Sequence, residues 1–333
     1  MKKAFRLVAL LLVFALFAGG SAFAQQKIRI AMVVKGLGNG FFEACRDGGL
    51  EAAKELGNVE LIYQGPATPT AEGQIEIIDS LIAQKVDAIA ISANDRDALV
   101  PIAKKAMKAG IKVISFDSGI SKDGRMVDLV PSKEELIGRQ QVQLISELIG
   151  KKGEIAILSA TSQATNQNAW IGWMKEELKK PEYSQMKLVA TVYGDDLSDK
   201  SYREALGLFE SYPNLRGIIS PTTVGVAAAG KAIEDKGLKG KVELTGLGLP
   251  SEMKYYVEKD ICRKFALWNP IDLGYSATYI AYALVKNQVK GNEGDLVKAG
   301  RMGNIAIGKD GNAVMGVPFV FTKDNVAKFA KMF

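Results

Sequence analysis

The sequence predicts an α/β protein with two lobes, each built around a parallel β-sheet. Short apolar runs alternate with longer segments in which apolar residues recur every three or four positions, a pattern that indicates strands alternating with helices. The first run, residues 28–34, is almost continuously apolar, as expected for a strand buried on both faces. This alternation occurs twice along the chain, so it predicts two sets of βαβ units and therefore two parallel sheets.

The first half of the chain contains four predicted strands and three predicted helices. The helices are placed where apolar side chains share one face, as Phe42, Cys45, Ala52 and Leu56 do. The strands are residues 28–34, 59–63, 86–92 and 112–116, and the helices are residues 41–56, 75–82 and 102–107.

The alternation breaks near residues 126–132 and then starts again. A predicted helix over 134–149 leads into this second set. The later elements are strands at 154–158, 187–193, 216–220, 242–246 and 262–267, a helix over 273–285, and two short strands near Ile305 and Val317.

The two lobes are predicted to be joined by several close crossings of the chain. No stretch rich in Pro, Gly or Ser separates the two sets of elements, so a single flexible tether is not expected. The first lobe is assigned residues 27–131 and 269–302, and the second lobe residues 132–268 and 303–333.

Residues 1–24 are predicted to be a cleaved signal peptide. A basic start with Lys2, Lys3 and Arg6 precedes an apolar segment over residues 7–18, and Ala22-Phe-Ala24 supplies the small residues of a cleavage site. The apolar segment is too short for a comfortable membrane span, and no Cys follows it to carry a lipid anchor. We therefore expect cleavage after Ala24 and a periplasmic location.

The composition argues against several classes of function. The chain has no histidine, which removes most general-base, catalytic-triad and zinc chemistry, and we expect neither a metal nor a cofactor. Its 43 basic and 37 acidic residues are interspersed without a basic tract, so a nucleic-acid partner is not expected.

Cys45 in a predicted helix and Cys262 in a predicted strand are expected to be unpaired core thiols, although export would permit a disulfide.

Polar and aromatic residues collect after the predicted strands, where parallel sheets bind ligands. The segment Thr165-Asn-Gln-Asn-Ala-Trp170 offers three carboxamides, which both donate and accept hydrogen bonds, and an indole that can cover the apolar face of a sugar ring. Two sheets whose strand ends face each other would bring these groups into one cleft with the composition of a sugar site. The candidate ligand-binding residues are Lys35, Phe42, Asn94, Asp117, Asn166, Gln167, Trp170, Pro221, Thr223, Trp268 and Asn269.

These candidates also have purely structural interpretations. Residues 165–168 suit the N-cap of a helix, and Asp117 suits the cap of the turn Asp-Ser-Gly. Lys35 is of a type that is usually solvated, and Phe42 at a helix start also suits the core.

Two further motifs are interpreted as structural. Asp195-Asp196 with Asp199 resembles a carboxylate cluster, but a solvated turn is the favoured interpretation. Gly36-x-Gly38-x-Gly40 resembles a dinucleotide-binding fingerprint, but its spacing is wrong and the second predicted strand ends in Tyr63-Gln-Gly65 without an acid.

Together, these segments resemble a type I periplasmic substrate-binding protein of an ABC importer. The similarity is to the ribose-binding superfamily and, within it, to the branch of rhamnose-binding and autoinducer-2-binding proteins. It covers essentially the whole chain after the signal peptide and implies two Rossmann-like lobes joined by a three-crossing hinge, with the ligand enclosed between them. The matching segments are Val34-Lys-Gly-Leu-Gly-Asn-Gly-Phe-Phe42, Gly65-Pro66 with Gln74, Phe116-Asp-Ser118, Asn166-Gln-Asn-Ala-Trp170, Thr245-Gly-Leu-Gly-Leu-Pro250, Leu267-Trp-Asn-Pro270 and Pro318-Phe-Val-Phe-Thr-Lys-Asp-Asn325.

The resemblance also implies a preference among ligands. The sequence departs from the autoinducer-2 pattern because Asn166 and Asn269 each replace an acid and Thr223 replaces a small Ala. An amide in place of a carboxylate removes a charge-assisted acceptor. The segments Asn166-Gln-Asn-Ala-Trp170 and Leu267-Trp-Asn-Pro270 look more like those of the rhamnose-type proteins, so a rhamnose-like deoxysugar is favoured. The autoinducer-2 pattern would place ligand contacts at Lys35, Asp117, Asn166, Gln167, Pro221 and Thr223.

The resemblance implies capture of a ligand rather than catalysis. A monomeric protein would close around a small sugar and deliver it to an ABC permease in the inner membrane. Autoinducer-2 uptake, or presentation of the bound ligand to a chemoreceptor, is the alternative within the family. A distant alternative is an exported glycoside hydrolase that uses Asp117 with Asp95 or Asp195. A DNA-binding regulator is excluded because a signal peptide stands where its helix-turn-helix is required.

Overall fold

The structure, a computed structural model, describes residues 27–333. The predicted signal peptide and its cleavage site lie outside the described residues. No helix within residues 27–333 combines the length and the hydropathy that a membrane span needs.

Parallel strands alternate with helices through the first half of the described chain, as predicted. The strands pair side by side in one sheet, and each is followed by a helix or turn that returns the chain to the next strand. In chain order the elements are β1 (Ile28–Val33), α1 (Gly40–Leu56), β2 (Val59–Gln64), α2 (Ala71–Ala83), β3 (Ala88–Ile91), α3 (Val100–Lys108), β4 (Lys112–Phe116) and β5 (Val127–Ser132).

The second half repeats the alternation around a second parallel sheet. Its strand order is β7-β6-β8-β9. In chain order the elements are α4 (Glu134–Ile149), β6 (Lys152–Ser159), α5 (Thr165–Glu177), β7 (Gln185–Tyr193), α6 (Ser198–Ser211), β8 (Leu215–Ser220), α7 (Thr223–Asp235), β9 (Glu243–Gly246), α8 (Pro250–Glu258) and β10 (Phe265–Leu267).

The remaining chain returns to the first lobe and then crosses again to the second. The strand β13 pairs in parallel with β5, which makes the first sheet six-stranded in the order β2-β1-β3-β4-β5-β13, and β14 pairs antiparallel with β10. The elements are α9 (Pro270–Val285), β11 (Leu296–Lys298), β12 (Asn304–Ala306), β13 (Asn312–Gly316), β14 (Phe319–Phe321) and α10 (Val326–Phe329).

The chain passes between the lobes three times: after β5, after β10 and after β13. The predicted fold, two parallel-sheet lobes with three crossings, is confirmed. The assignment of residues 303–333 to the second lobe is wrong for β13, which is an edge strand of the first sheet. The reason is that the residue pattern of a short edge strand carries no information about which sheet it joins.

Both cysteines are buried and unpaired, as predicted. Cys45 lies in α1, but Cys262 lies in a bend before β10 and not in a strand. Its sulfur lies 3.4 Å from the carbonyl oxygen of Leu244, so the thiol is accommodated by the backbone of the neighbouring strand.

Candidate functional site

The carboxyl ends of the strands of both sheets surround a cavity between the lobes, with about 360 Å³ of empty space when the solvent at its mouth is included. Clefts between domains are where proteins commonly bind small molecules, so this space is the candidate ligand site. Every predicted candidate lines it except Asn94 and Asn269. The lining residues are Lys35, Asn39, Phe41, Phe42, Asp117, Asn166, Gln167, Trp170, Asp196, Pro221, Thr222, Thr223, Leu247, Leu267 and Trp268.

Lys35 follows β1 and reaches across to the second lobe. Its Nζ donates to Asn166 Oδ1 at 2.8 Å and to Gln167 Oε1 at 3.1 Å, and only 4% of the residue is exposed. Burial lowers the pKa of this ammonium group, and the carboxylate of Asp117 opposes that shift. The contact joins the two lobes directly, so the structure has a closed cleft.

Asp117 follows β4 and supplies a carboxylate to the cavity wall. Its Oδ2 accepts a hydrogen bond from Ser92 Oγ at 2.8 Å, and Asn166 Nδ2 lies 3.4 Å from its Oδ1. Burial raises the pKa of Asp117, while Lys35 and the Ser92 hydrogen bond oppose the shift. Its carboxylate partners are side chains outside its own turn, so the turn-cap interpretation does not describe its contacts.

The backbone of Asp117 adopts a left-handed conformation, with φ of 61°. Few residues other than Gly adopt this region, and Asp and Asn do so several times more often than most. At this left-handed turn after β4, the Asp117 carboxylate faces the cavity.

The amide residues at the start of α5 are not helix caps. The N-cap position is Ala164, which makes no side-chain capping bond. Asn166 and Gln167 are buried against Lys35, whereas Asn168 is exposed and donates to the carbonyl oxygen of Ser162 at 2.8 Å. Two of the three predicted carboxamides therefore belong to the cavity and the third does not.

Aromatic rings form one wall of the cavity. Trp170 and Trp268 meet edge to face with ring centroids 5.8 Å apart, and Phe41 lies 6.1 Å from Trp268 and 5.2 Å from Phe42. The indole nitrogen of Trp268 is buried without a hydrogen-bond partner within residues 27–333. The cavity therefore has an aromatic wall beside a polar one, as an amphipathic ligand requires.

Asn94 and Asn269 follow strands, as predicted, but do not line the cavity. The Asn94 side chain donates to the carbonyl oxygen of Lys35 at 2.8 Å, so it positions the backbone that carries the ammonium group. Asn269 caps α9 by accepting from the backbone N–H of Ile271 at 3.0 Å, and it donates to Asp272. Both amides are used by the backbone because each lies beside unpaired groups at the start of a turn or helix.

Asp196 is the main cavity residue that the sequence interpretation did not select. It accepts a hydrogen bond from Thr222 and lines the cavity, whereas Asp195 pairs with Lys200 on the outer side and Asp199 is exposed. The signal was present, because the pair follows the predicted strand 187–193 just as Asp117 follows 112–116. The solvated-turn interpretation is correct for Asp195 and Asp199 but wrong for Asp196, which lines the cavity.

The carboxylate pairs named for the hydrolase alternative, Asp117 with Asp95 or with Asp195, are not formed at the cavity. Asp95 accepts from the backbone N–H groups of Asp97 and Ala98 at 2.9 Å in a surface turn, and Asp195 lines a separate groove between the lobes. Neither lines the cavity with Asp117. Within residues 27–333, no group of three or more His, Cys, Asp or Glu side chains is arranged to hold a metal ion.

The family model described as "Periplasmic binding protein domain" matches residues 30–289. The chain belongs to the periplasmic binding protein family. This membership confirms the resemblance inferred from the sequence motifs.

Known proteins agree with this assignment. An ABC transporter solute-binding protein from Clostridium phytofermentas, solved with bound L-rhamnose, is 38% identical and has a TM-score of 0.88, covering 92% of this chain and 99% of that one. The D-ribose/D-allose-binding protein of Pseudomonas aeruginosa is 28% identical over 230 residues, 66% of this chain and 70% of its own. LsrB from Clostridium saccharobutylicum in complex with AI-2 shares the fold, with 22% identity and a TM-score of 0.85 over 91% of this chain and 99% of that one.

Proposed function

We propose that this protein is the periplasmic solute-binding component of a sugar ABC transporter and that its ligand is a small neutral sugar, with an L-rhamnose-like deoxysugar favoured. The observation that carries the proposal is a cavity between the lobes in which polar groups from both lobes face an aromatic wall. The solute-binding protein that holds L-rhamnose supports this ligand class, since it is similar along almost the whole chain.

The polar wall suits the hydroxyl groups of a sugar. The Lys35 ammonium group can only donate and an Asp117 carboxylate can only accept when it is ionised, whereas the amides of Asn166 and Gln167 do both. A hydroxyl group is also a donor and an acceptor, so a sugar placed here would exchange hydrogen bonds with all four side chains. The ammonium–amide contacts of 2.8 Å and 3.1 Å are the bonds that ligand hydroxyls would replace or extend.

The aromatic wall suits the apolar part of the same ligand. Trp170 and Trp268 are buried, and their edge-to-face arrangement fixes both rings. A deoxysugar carries a methyl group and an apolar ring face, both of which gain free energy by leaving water for such a wall. The two walls together therefore favour a deoxysugar over a fully polar polyol.

Capture would work through the three crossings between the lobes. A ligand that contacts Lys35 and Asp117 on one lobe and Asn166 and Gln167 on the other binds the closed state better than the open one, so it shifts the equilibrium toward closure. The closed monomer would then deliver the sugar to the permease. We assign it no catalytic step, and we expect no turnover of aryl glycosides.

Autoinducer-2 is the second candidate ligand, with signal uptake or delivery to a chemoreceptor as the role. It is favoured by one observation: the six positions of the autoinducer-2 pattern all line the cavity. They are Lys35, Asp117, Asn166, Gln167, Pro221 and Thr223. Asn166 and Thr223 argue against it, because they replace an acid and a small residue of that pattern.

Titration calorimetry on mature protein that has been unfolded, freed of retained sugar and refolded tests the proposal. We expect L-rhamnose to bind with a Kd near 1 μM, about 8 kcal/mol, and D-ribose and D-arabinose to bind at least about 10-fold more weakly. Tight binding of autoinducer-2 alone would replace the favoured ligand by the second candidate. Absence of heat with every sugar would overturn the proposed function.

A further inference from the structure

The turn after β7 separates two adjacent carboxylates. Asp195 and Asp196 both have left-handed backbones, with φ of 54° and 53°. Asp195 pairs with Lys200 and lines a separate groove between the lobes, whereas Asp196 is part-buried and lines the cavity. The backbone conformation thus directs one acid of the pair to the ligand space and the other to the surface.

Asp196 keeps hydrogen-bonding capacity that the protein does not use. The hydroxyl group of Thr222 donates to its Oδ1, and its Oδ2 has no hydrogen-bond partner within residues 27–333. The ammonium group of Lys35 donates to the amides of Asn166 and Gln167 rather than to this carboxylate. A carboxylate oxygen at the edge of a ligand cavity is therefore free to accept from a ligand hydroxyl.

The charged groups that line the cavity are more acidic than basic. Among residues 27–333, the charged groups that line it are one cation, Lys35, and two carboxylates, Asp117 from the first lobe and Asp196 from the second, so its formal charge is −1 when all three are ionised. Burial raises the pKa of Asp196, and the Thr222 hydrogen bond and the Lys35 charge oppose that shift. The single positive charge of Lys35 already lies near the carboxylates of Asp117 and Asp196. It therefore has little capacity left to balance the carboxylate of a bound sugar acid.

We propose that Asp196 is a specificity-determining residue that, together with Asp117, makes the cavity accept neutral sugars with hydroxyl donors at both ends and reject sugar acids. The inference rests on the proposed sugar-binding function. A carboxylate can only accept hydrogen bonds, so each lobe requires a donor from the ligand. A uronate would bring a second uncompensated negative charge into a poorly solvated space, where like charges are strongly disfavoured.

The test compares Asp196→Asn with Asp195→Asn in the refolded mature protein. Asn keeps the shape of the side chain and tolerates the left-handed backbone, so both variants are expected to fold. Asp195→Asn is the matched control, because it removes the same charge one residue away and outside the cavity. The probes are L-rhamnose, D-ribose, D-arabinose and the acid D-galacturonate, measured by calorimetry, with thermal unfolding as the check on the fold.

We expect the wild type and Asp195→Asn to bind the neutral probe and to show no binding of galacturonate. Asp196→Asn should bind the neutral sugar about 10-fold more weakly and should bind galacturonate measurably, so its preference for neutral sugar over acid falls below the lower limit set by the wild type. An unchanged preference in Asp196→Asn, or tight binding of galacturonate by the wild type, would overturn the inference alone. A wild type that binds no neutral sugar would overturn the proposed function and this inference with it.

Discussion

Replacing Asp117 by Ala is expected to abolish measurable sugar binding while the protein remains folded. The carboxylate is buried, is held by Ser92 and faces the ligand space beside Lys35. Its loss removes a charge-assisted acceptor and leaves the ammonium group poorly balanced, and truncating one member of a buried charged pair costs about 2–5 kcal/mol. We therefore expect the Kd measured by calorimetry to rise by at least about 100-fold.

Two further variants make this result specific. Asp117→Asn keeps the shape and the tolerance for the left-handed backbone, so it separates loss of charge from strain, and we expect it to bind at least about 10-fold more weakly than the wild type. Asp199→Ala removes an exposed carboxylate on α6 outside the cavity and should leave the affinity unchanged. Unaltered affinity in both Asp117 variants would remove this residue from the binding site.

Replacing Gly274 by Ala is expected to destabilise the protein strongly. The helices α1 and α9 pack with their backbones in contact, because a Cβ at Gly274 would collide with the carbonyl oxygen of Cys45, and one at Gly48 would collide with that of Ile271. A backbone atom cannot move aside as a side chain does, so the helices must separate. We expect the free energy of unfolding in urea to fall by about 3 kcal/mol or more.

The matched control is Gly207→Ala, at an exposed glycine within α6. Apart from its chain neighbours and the backbone of its own helix, no atom of residues 27–333 lies within 4 Å of the Cβ that this change adds. Ala has a higher helix propensity than Gly, so the control should stabilise the protein by about 0.5–1 kcal/mol. Opposite signs for the same substitution would show that close helix packing, and not helix propensity, requires Gly274. Equal effects at both positions would contradict the close contact.

Much of the fold was predictable because parallel sheets leave a strong local signal. Strands buried on both faces are apolar along their length, and the helices between them carry one apolar face, so the order of elements follows from the sequence. The third crossing was misplaced because β13 is a short edge strand. Its position in the first sheet depends on pairing with β5, which is distant in the chain.

Most of the candidate site was predictable from the rule that ligands bind beyond the carboxyl ends of parallel strands. Lys35 and Asp117 follow β1 and β4 and line the cavity. Asn94 and Asn269 satisfy the same rule, yet their side chains bond to the backbone. Position along the chain identifies the right edge of the sheet, but the direction of a side chain depends on the hydrogen-bonding groups that tertiary packing places beside it.

The third crossing limits which motions the two lobes can make. β13 belongs to the first sheet, β14 pairs with β10 of the second lobe, and only Val317 and Pro318 separate them. A fully extended chain spans about 3.5 Å per residue, and Pro318 fixes its own φ. The lobes are therefore joined by a short hinge at this edge, so they can rotate apart but cannot translate away from each other. Rotation about this short link would open the cleft most at the edge farthest from it.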